Sequence, residues 1–258
     1  MEIIIYADFS CPYSYLASLR ADQLLWSGAA DIDWRAVTDR GGPPPDDGGN
    51  NRDERDDRDR ELAAVAALAR PGEQGPHRLA GPVNEAATAA AYAEAVSDGV
   101  QHRLRRRLFD GIWTEARRVS TVYDVRHLIA DVMCPPEPIL HHLISPDLPV
   151  PLLHDPGVNR VVRRSGGTVT VYEGPLTAAG ERRIRRWQRE WRALPAPVTP
   201  VVIAPGGAIL ARLGALRYLA EAASVGTLSP PAPDQQVPGG GPGRSPAGTL
   251  PAEPTGRR

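Results

Sequence analysis

The chain has 258 residues, of which 41% are hydrophobic, and its 30 basic residues against 31 acidic ones leave a formal net charge of -1. That balance excludes the basic footprint of a dedicated nucleic-acid binder, and no run approaches the roughly 18 apolar residues of a membrane span, so neither partner is expected. All 30 basic residues are arginine, which excludes lysine Schiff-base chemistry. Two cysteines, Cys11 and Cys134, and six scattered histidines make neither a disulfide framework nor a zinc-type spacing, so no metal is expected. The opening residues lack a secretory signal pattern, and the expected compartment is the cytoplasm.

Residues 2 to 8 read as a buried strand, because Ile3, Ile4, Ile5 and Tyr6 are β-branched or aromatic and Asp8 ends the run. A helix starts next to Cys11, with Pro12 suited to the first helical position and Gly28 to the stop. Asp31 to Val37 alternates polar and apolar residues as a second strand, so the chain opens strand, helix, strand, the start of an α/β layer. Residues 41 to 60 hold Pro and Gly clusters and dense charge with no apolar residue, the composition of a disordered linker.

Residues 61 to 133 read as mainly helical, with one helix expected from Glu85 to about Phe109 on the spacing of Val96, Val100, Leu104 and Leu108. Thr121 and Asp124 form a capping-box-like start to another helix. A proline-rich irregular stretch from Pro135 to Pro151 follows, then a short strand over Thr168 to Tyr172. A helix from Ala178 to Leu194 has Ile184, Trp187, Trp191 and Leu194 on one stripe. Val198 to Ala204, the turn Pro205-Gly206-Gly207 and Ala208 to Arg212 form a closing hairpin before a final helix from Gly214 to Ala223. Residues 229 to 258 have the composition of a disordered tail.

The chemistry-bearing segment is Asp8-Phe9-Ser10-Cys11-Pro12-Tyr13-Ser14. A thiol placed after a strand and at a helix start meets unpaired backbone N–H groups and the positive end of the helix dipole, both of which favour a thiolate. The expected Cys11 thiol is therefore more acidic than the usual value of about 8.5. Ser14 stands where a resolving thiol would make C-x-x-C, so the site is monothiol: a hydroxyl supplies a hydrogen bond but closes no disulfide. Cys134, ahead of Pro135-Pro136, has no such surroundings. The arginines at 103, 105, 106 and 107 and from 182 to 192 read mostly as solvated faces.

Asp8-Phe9-x-x-Pro12-Tyr13-Ser14-Tyr15-Leu16-Ala17, with Val198-Thr199-Pro200-Val201-Val202-Ile203 ahead of a hairpin and last helix, resembles the DsbA-like branch of the thioredoxin superfamily. That branch includes the FrnE-type disulfide oxidoreductases and the 2-hydroxychromene-2-carboxylate isomerases, and Leu108 to Trp113 resembles the helix that completes its active site. The resemblance implies an α/β thioredoxin-like fold in two halves, 1–40 and 195–228. The remainder is a linker at 41–60, a mainly helical insertion at 61–194 and a disordered tail at 229–258. It implies Cys11 as nucleophile in a turn set by Pro12, with Ser14 as its hydrogen-bond partner, and a cis peptide at Pro200 facing the sulfur. Tyr13, Thr199, Pro200 and Trp113 would contact the substrate or thiol cofactor.

Oxidoreductases of this family usually carry cysteine at the position of Ser14, and the isomerases serine at the position of Cys11. The leading expectation is a thiol–disulfide oxidoreductase acting through a mixed disulfide with a small thiol or disulfide. It would hold no tight cofactor and use glutathione or another low-molecular-weight thiol as cosubstrate. The alternatives are a thiol-cofactor-dependent isomerase or transferase, and a degenerate thioredoxin-like binding module.

Overall fold

The computed structural model describes residues 1–38, 52–133, 168–195 and 197–226. Strand β1 (Glu2–Ala7) forms on the β-branched run, with Ile3 and Ile5 fully buried. Helix α1 (Pro12–Trp26) follows with Cys11 as its N-cap, Pro12 at the first helical position and Gly28 beyond its end at φ 66°. Strand β2 (Asp31–Ala36) then pairs parallel to β1, setting Ile5 opposite Trp34. Strand β3 (Val201–Ile203) runs antiparallel to β1 on its other side, and β4 (Ile209–Ala211) antiparallel to β3. The four-stranded sheet has the order β2-β1-β3-β4, the thioredoxin-like arrangement in which both chain segments are needed to complete one sheet.

Among the described residues, the helices between β2 and β3 are α2 (Arg52–Ala66), α3 (Glu85–Ser97), α4 (Gln101–Phe109), a π-helical turn (Asp110–Thr114), α5 (Val122–Leu128), α6 (Ala130–Met133) and α7 (Ala178–Arg192), and they form the insertion. The last helix, α8 (Leu213–Gly226), packs along α1, and α7 packs along α3. Tyr92 of α3 and Trp187 of α7 meet at 5.9 Å between ring centroids, and Phe109 meets both Phe9 and Trp34. One continuous core therefore joins sheet and insertion. Among the described residues no helix is long and apolar enough to cross a membrane.

Three expectations need correction. The linker expected over 41–60 is helical from Arg52 onward, because alternating charges pair at helical spacing, as in Arg60 to Asp57 at 2.7 Å, and Leu62 and Val65 anchor its far end in the core. The helix expected from Glu85 to Phe109 is two helices: Gly99 at φ 70° leaves the helical region, and Val100 starts the next segment as an N-cap. The Thr121 start carries a complete capping box, with Asp124 N–H donating to Thr121 Oγ1 at 3.2 Å and Thr121 N–H to Asp124 Oδ2 at 2.9 Å. The expected strand at Thr168 to Tyr172 is a single bridge between Val169 and Pro175. The expectations for 41–51, for Cys134 with its proline-rich stretch, and for the 229–258 tail lie outside the described residues.

Candidate active site

The chain turns from β1 into α1 through Asp8, Phe9, Ser10 and Cys11. Asp8 is buried, and its Oδ1 accepts the Ser10 N–H at 2.7 Å while its carbonyl accepts the Cys11 N–H at 3.3 Å. These two bonds close a tight Asx-type turn that sets Cys11 in extended geometry, φ -94° and ψ 121°, ahead of the first helical residue. Ser10 Oγ donates to Glu85 Oε1 at 2.8 Å, tying the turn to the first residue of α3. Ser14 is fully buried and its Oγ accepts the Asp8 N–H at 3.4 Å, which leaves its own proton free to point toward the sulfur.

The second chain segment closes the site from across β1. The Thr199–Pro200 peptide is cis, and the Cys11 thiol donates to the Thr199 carbonyl at 3.5 Å. Pro200 immediately precedes β3, where its missing N–H interrupts no ladder bond, and its carbonyl accepts the Arg212 N–H at 2.9 Å. The Arg212 guanidinium lies 5.1 Å from the Tyr13 ring centroid. Cys11, Pro12, Tyr13, Ser14, Thr199 and Pro200, separated by nearly the whole fold in sequence, are thus assembled at one end of the sheet.

Electrostatics at the sulfur depart from the sequence expectation of an acidic thiol. Burial pushes the Cys11 thiol up from its ordinary value; the Thr199 side chain and the side chain and backbone of Ser14 pull it down, and the Asp8 carboxylate pushes it up again. Desolvation of the thiolate outweighs the local polar groups. The bond to the Thr199 carbonyl adds to this, since only the protonated thiol donates.

Trp113 also differs from its expected place among the substrate contacts. It is 1% exposed, its indole N–H donates to the Phe9 carbonyl at 2.9 Å, and its ring lies 6.4 Å from that of Tyr15. It supports the turn from behind, and the π-helical turn that carries it widens the helix to aim the indole at Phe9. The insertion arginines are not all solvated either. Arg105 is fully buried, paired with Asp22 and set 5.0 Å from the Trp34 ring centroid. The roles of Ser10, Glu85 and Arg212 at the site are not among those expected from the sequence. Only the Asp8-x-Ser10 Asx-turn pattern was a local signal for any of the three.

The sequence profile of the DSBA-like thioredoxin domain matches residues 2–146. No curated protein sequence matches the chain. Among solved structures, a probable DsbA oxidoreductase from Streptomyces coelicolor is similar with TM-score 0.54 and 16% identity, covering 90% of this chain and 93% of that one. A 2-hydroxychromene-2-carboxylate isomerase is similar with TM-score 0.54 and 16% identity, over 88% of this chain and 96% of that one. The cytosolic disulfide reductase DsbM from Pseudomonas aeruginosa is similar with TM-score 0.51 and 14% identity, over 88% and 96%. At these identities the likeness concerns the fold.

Proposed function

The chain belongs to the DSBA-like thioredoxin domain family, and from that premise we propose that it is a cytoplasmic thiol–disulfide oxidoreductase working through the single thiol of Cys11. The observation that carries the reading is the Cys11 sulfur at the N-terminus of α1, in contact with the Thr199 carbonyl beside Pro200. A sulfur at that junction meets an incoming disulfide between the helix start and an extended backbone segment.

With Ser14 at the resolving position, the cycle needs a second, external thiol. The Cys11 thiolate attacks one sulfur of a disulfide, forming a mixed disulfide and expelling the other sulfur as a thiolate. A low-molecular-weight thiolate, glutathione or a similar compound, then attacks the substrate sulfur of that mixed disulfide and returns Cys11 as thiolate. One disulfide is exchanged for another, and no electrons are left over. Ser14 stabilises the thiolate through its hydroxyl, Pro12 and the Asp8 turn fix the sulfur, and Tyr13, Thr199 and Pro200 line the approach.

Incubation with glutathione disulfide followed by intact-mass measurement tests this: a single adduct on Cys11, reversed by excess glutathione and lost in Cys11→Ser, is expected. A Cys11 that reacts no faster than free cysteine at equal thiolate fraction would identify a degenerate binding module instead. The upward shift of the thiol predicts that the rate of alkylation by iodoacetamide is still climbing above pH 9, with no plateau near neutrality. That same shift favours one second reading, an isomerase or transferase in which a bound thiol supplies the attacking sulfur and Cys11 orients it. Ser14→Cys separates the two: an oxidoreductase scaffold gains dithiol turnover, whereas a thiol-cofactor pocket loses native activity when the new disulfide closes.

A further inference from the structure

We propose that Arg212 determines the specificity of the Cys11 site, selecting disulfides and thiols that carry a negative charge beside the reacting sulfur; this rests on the reading of Cys11 as nucleophile. The residue stands where β4 passes into α8, and its backbone N–H bonded to the Pro200 carbonyl at 2.9 Å holds it beside the loop that faces the sulfur. Its guanidinium, about half exposed, lies over the ring of Tyr13, two residues along α1 from Cys11. The cation is thus carried on a residue that touches both Pro200, through its backbone, and Tyr13, through its side chain, the two residues read as lining the approach to the thiol.

The backbone at this position is strained. Arg212 has φ 42°, in the left-handed region where a glycine sits without strain and a long side chain does not. Strain held at such a position is found where the side chain has a task.

The guanidinium is also available. Among the described residues it donates no close side-chain hydrogen bond; its one ion pair, to Glu61 Oε1 at 3.6 Å, is loose, with the two side chains 47% and 34% exposed. A guanidinium presents five N–H donors in a planar fork that fits a carboxylate, so an anionic group on the substrate displaces Glu61 at little loss. Arg20 and Arg35, by contrast, have their donors engaged by Glu73 and by Asp33 and Glu190, and Arg105 is sealed in the core beside Asp22.

The test uses the full chain in a Cys134→Ser background, leaving Cys11 as its sole thiol. Second-order rates are measured with dithiobis(2-nitrobenzoate), which is dianionic, and with dithiodipyridine, which is neutral. In each case the Cys11 thiolate attacks the disulfide, forming a mixed disulfide and releasing the aromatic thiolate. Arg212→Gly and Arg212→Gln are expected to slow the anionic reagent by about tenfold and the neutral one by less than about twofold, with added salt eroding the parent's preference. Arg212→Gly should melt no lower than the parent, and Arg212→Gln keeps the side-chain length should the glycine variant fold poorly. Equal slowing of both reagents, or of neither, in a parent whose Cys11 is reactive would overturn the role of Arg212 alone. A parent inert to both reagents would overturn the oxidoreductase reading and this inference with it.

Discussion

Arg105 and Arg212 each hold a guanidinium against an aromatic ring, 5.0 Å from Trp34 and 5.1 Å from Tyr13, yet their surroundings are opposite. Arg105 is sealed in the core with Asp22 as its counter-ion, and its Nε and Nη1 have no hydrogen-bond partner among the described residues. Arg212 stands in solvent with one loose ion pair. A charge of the first kind holds the insertion to α1 and is unavailable to a ligand; a charge of the second kind contributes little to stability and is free to bind. Nothing in the residue type separates them.

The largest effect that would break this contrast is at the buried pair. Arg105→Met should lower stability by about 3 kcal/mol, because it leaves the buried Asp22 carboxylate with only the longer pair to Arg106 at 3.5 Å. Adding Asp22→Leu should recover much of that loss in urea denaturation. If Arg105→Met were neutral, the two arginines would not differ in the way described.

Trp113→Phe comes next. It leaves the Phe9 carbonyl without its indole donor, and a loss of roughly 1 to 3 kcal/mol is expected. Cys11 alkylation should slow as well, measured at a pH adjusted to equal thiolate fraction. A stability loss with unchanged Cys11 kinetics would confine Trp113 to the core.

His102 sharpens the picture of the Arg105 region through pH. Burial, then the charges of Arg105 and Arg106, push its imidazole down to about 4 from an ordinary 6.5. Between those values the unfolded chain binds the proton and the folded chain does not, so stability contributed by this group is complete above 6.5 and is lost as pH falls toward 4. With the side chain only partly buried, about 1 kcal/mol is expected after solvent screening. The difference between the parent and His102→Gln in denaturation midpoints across that range measures it.

The smallest effect belongs to Arg212→Gly, expected to shift stability by less than about 0.5 kcal/mol, as relief of the left-handed backbone offsets the lost ring contact. A large loss there would make Arg212 structural like Arg105.

Much of the fold and the centre of the site were legible because they rest on local rules. The β-branched run of Ile3 to Ile5, Pro12 after Cys11, the Thr121–Asp124 box and the alternation at the β2 strand each act within a few residues. The segment from Asp8 to Ala17, with Thr199-Pro200, carried the family resemblance. The break at Gly99 was visible as a residue type but was overridden in the reading by the regular spacing of the valines and leucines around it. The helix from Arg52 was hidden because its charges pair only once the chain has coiled, while its composition alone reads as unfolded.

From the sequence by itself follow the strand–helix junction that carries Cys11, the absence of a second thiol at Ser14, and the closing hairpin and helix. Each depends on torsional preference, hydrophobic period or residue identity, which are properties of short segments. The tertiary structure alone decided that Trp113 faces the Phe9 carbonyl, that Arg105 is buried while Arg212 is free, and that the Cys11 thiol is raised. Those outcomes depend on which distant groups exclude water from a given atom. Desolvation is set by packing from every direction around it, and no local pattern in the chain encodes that.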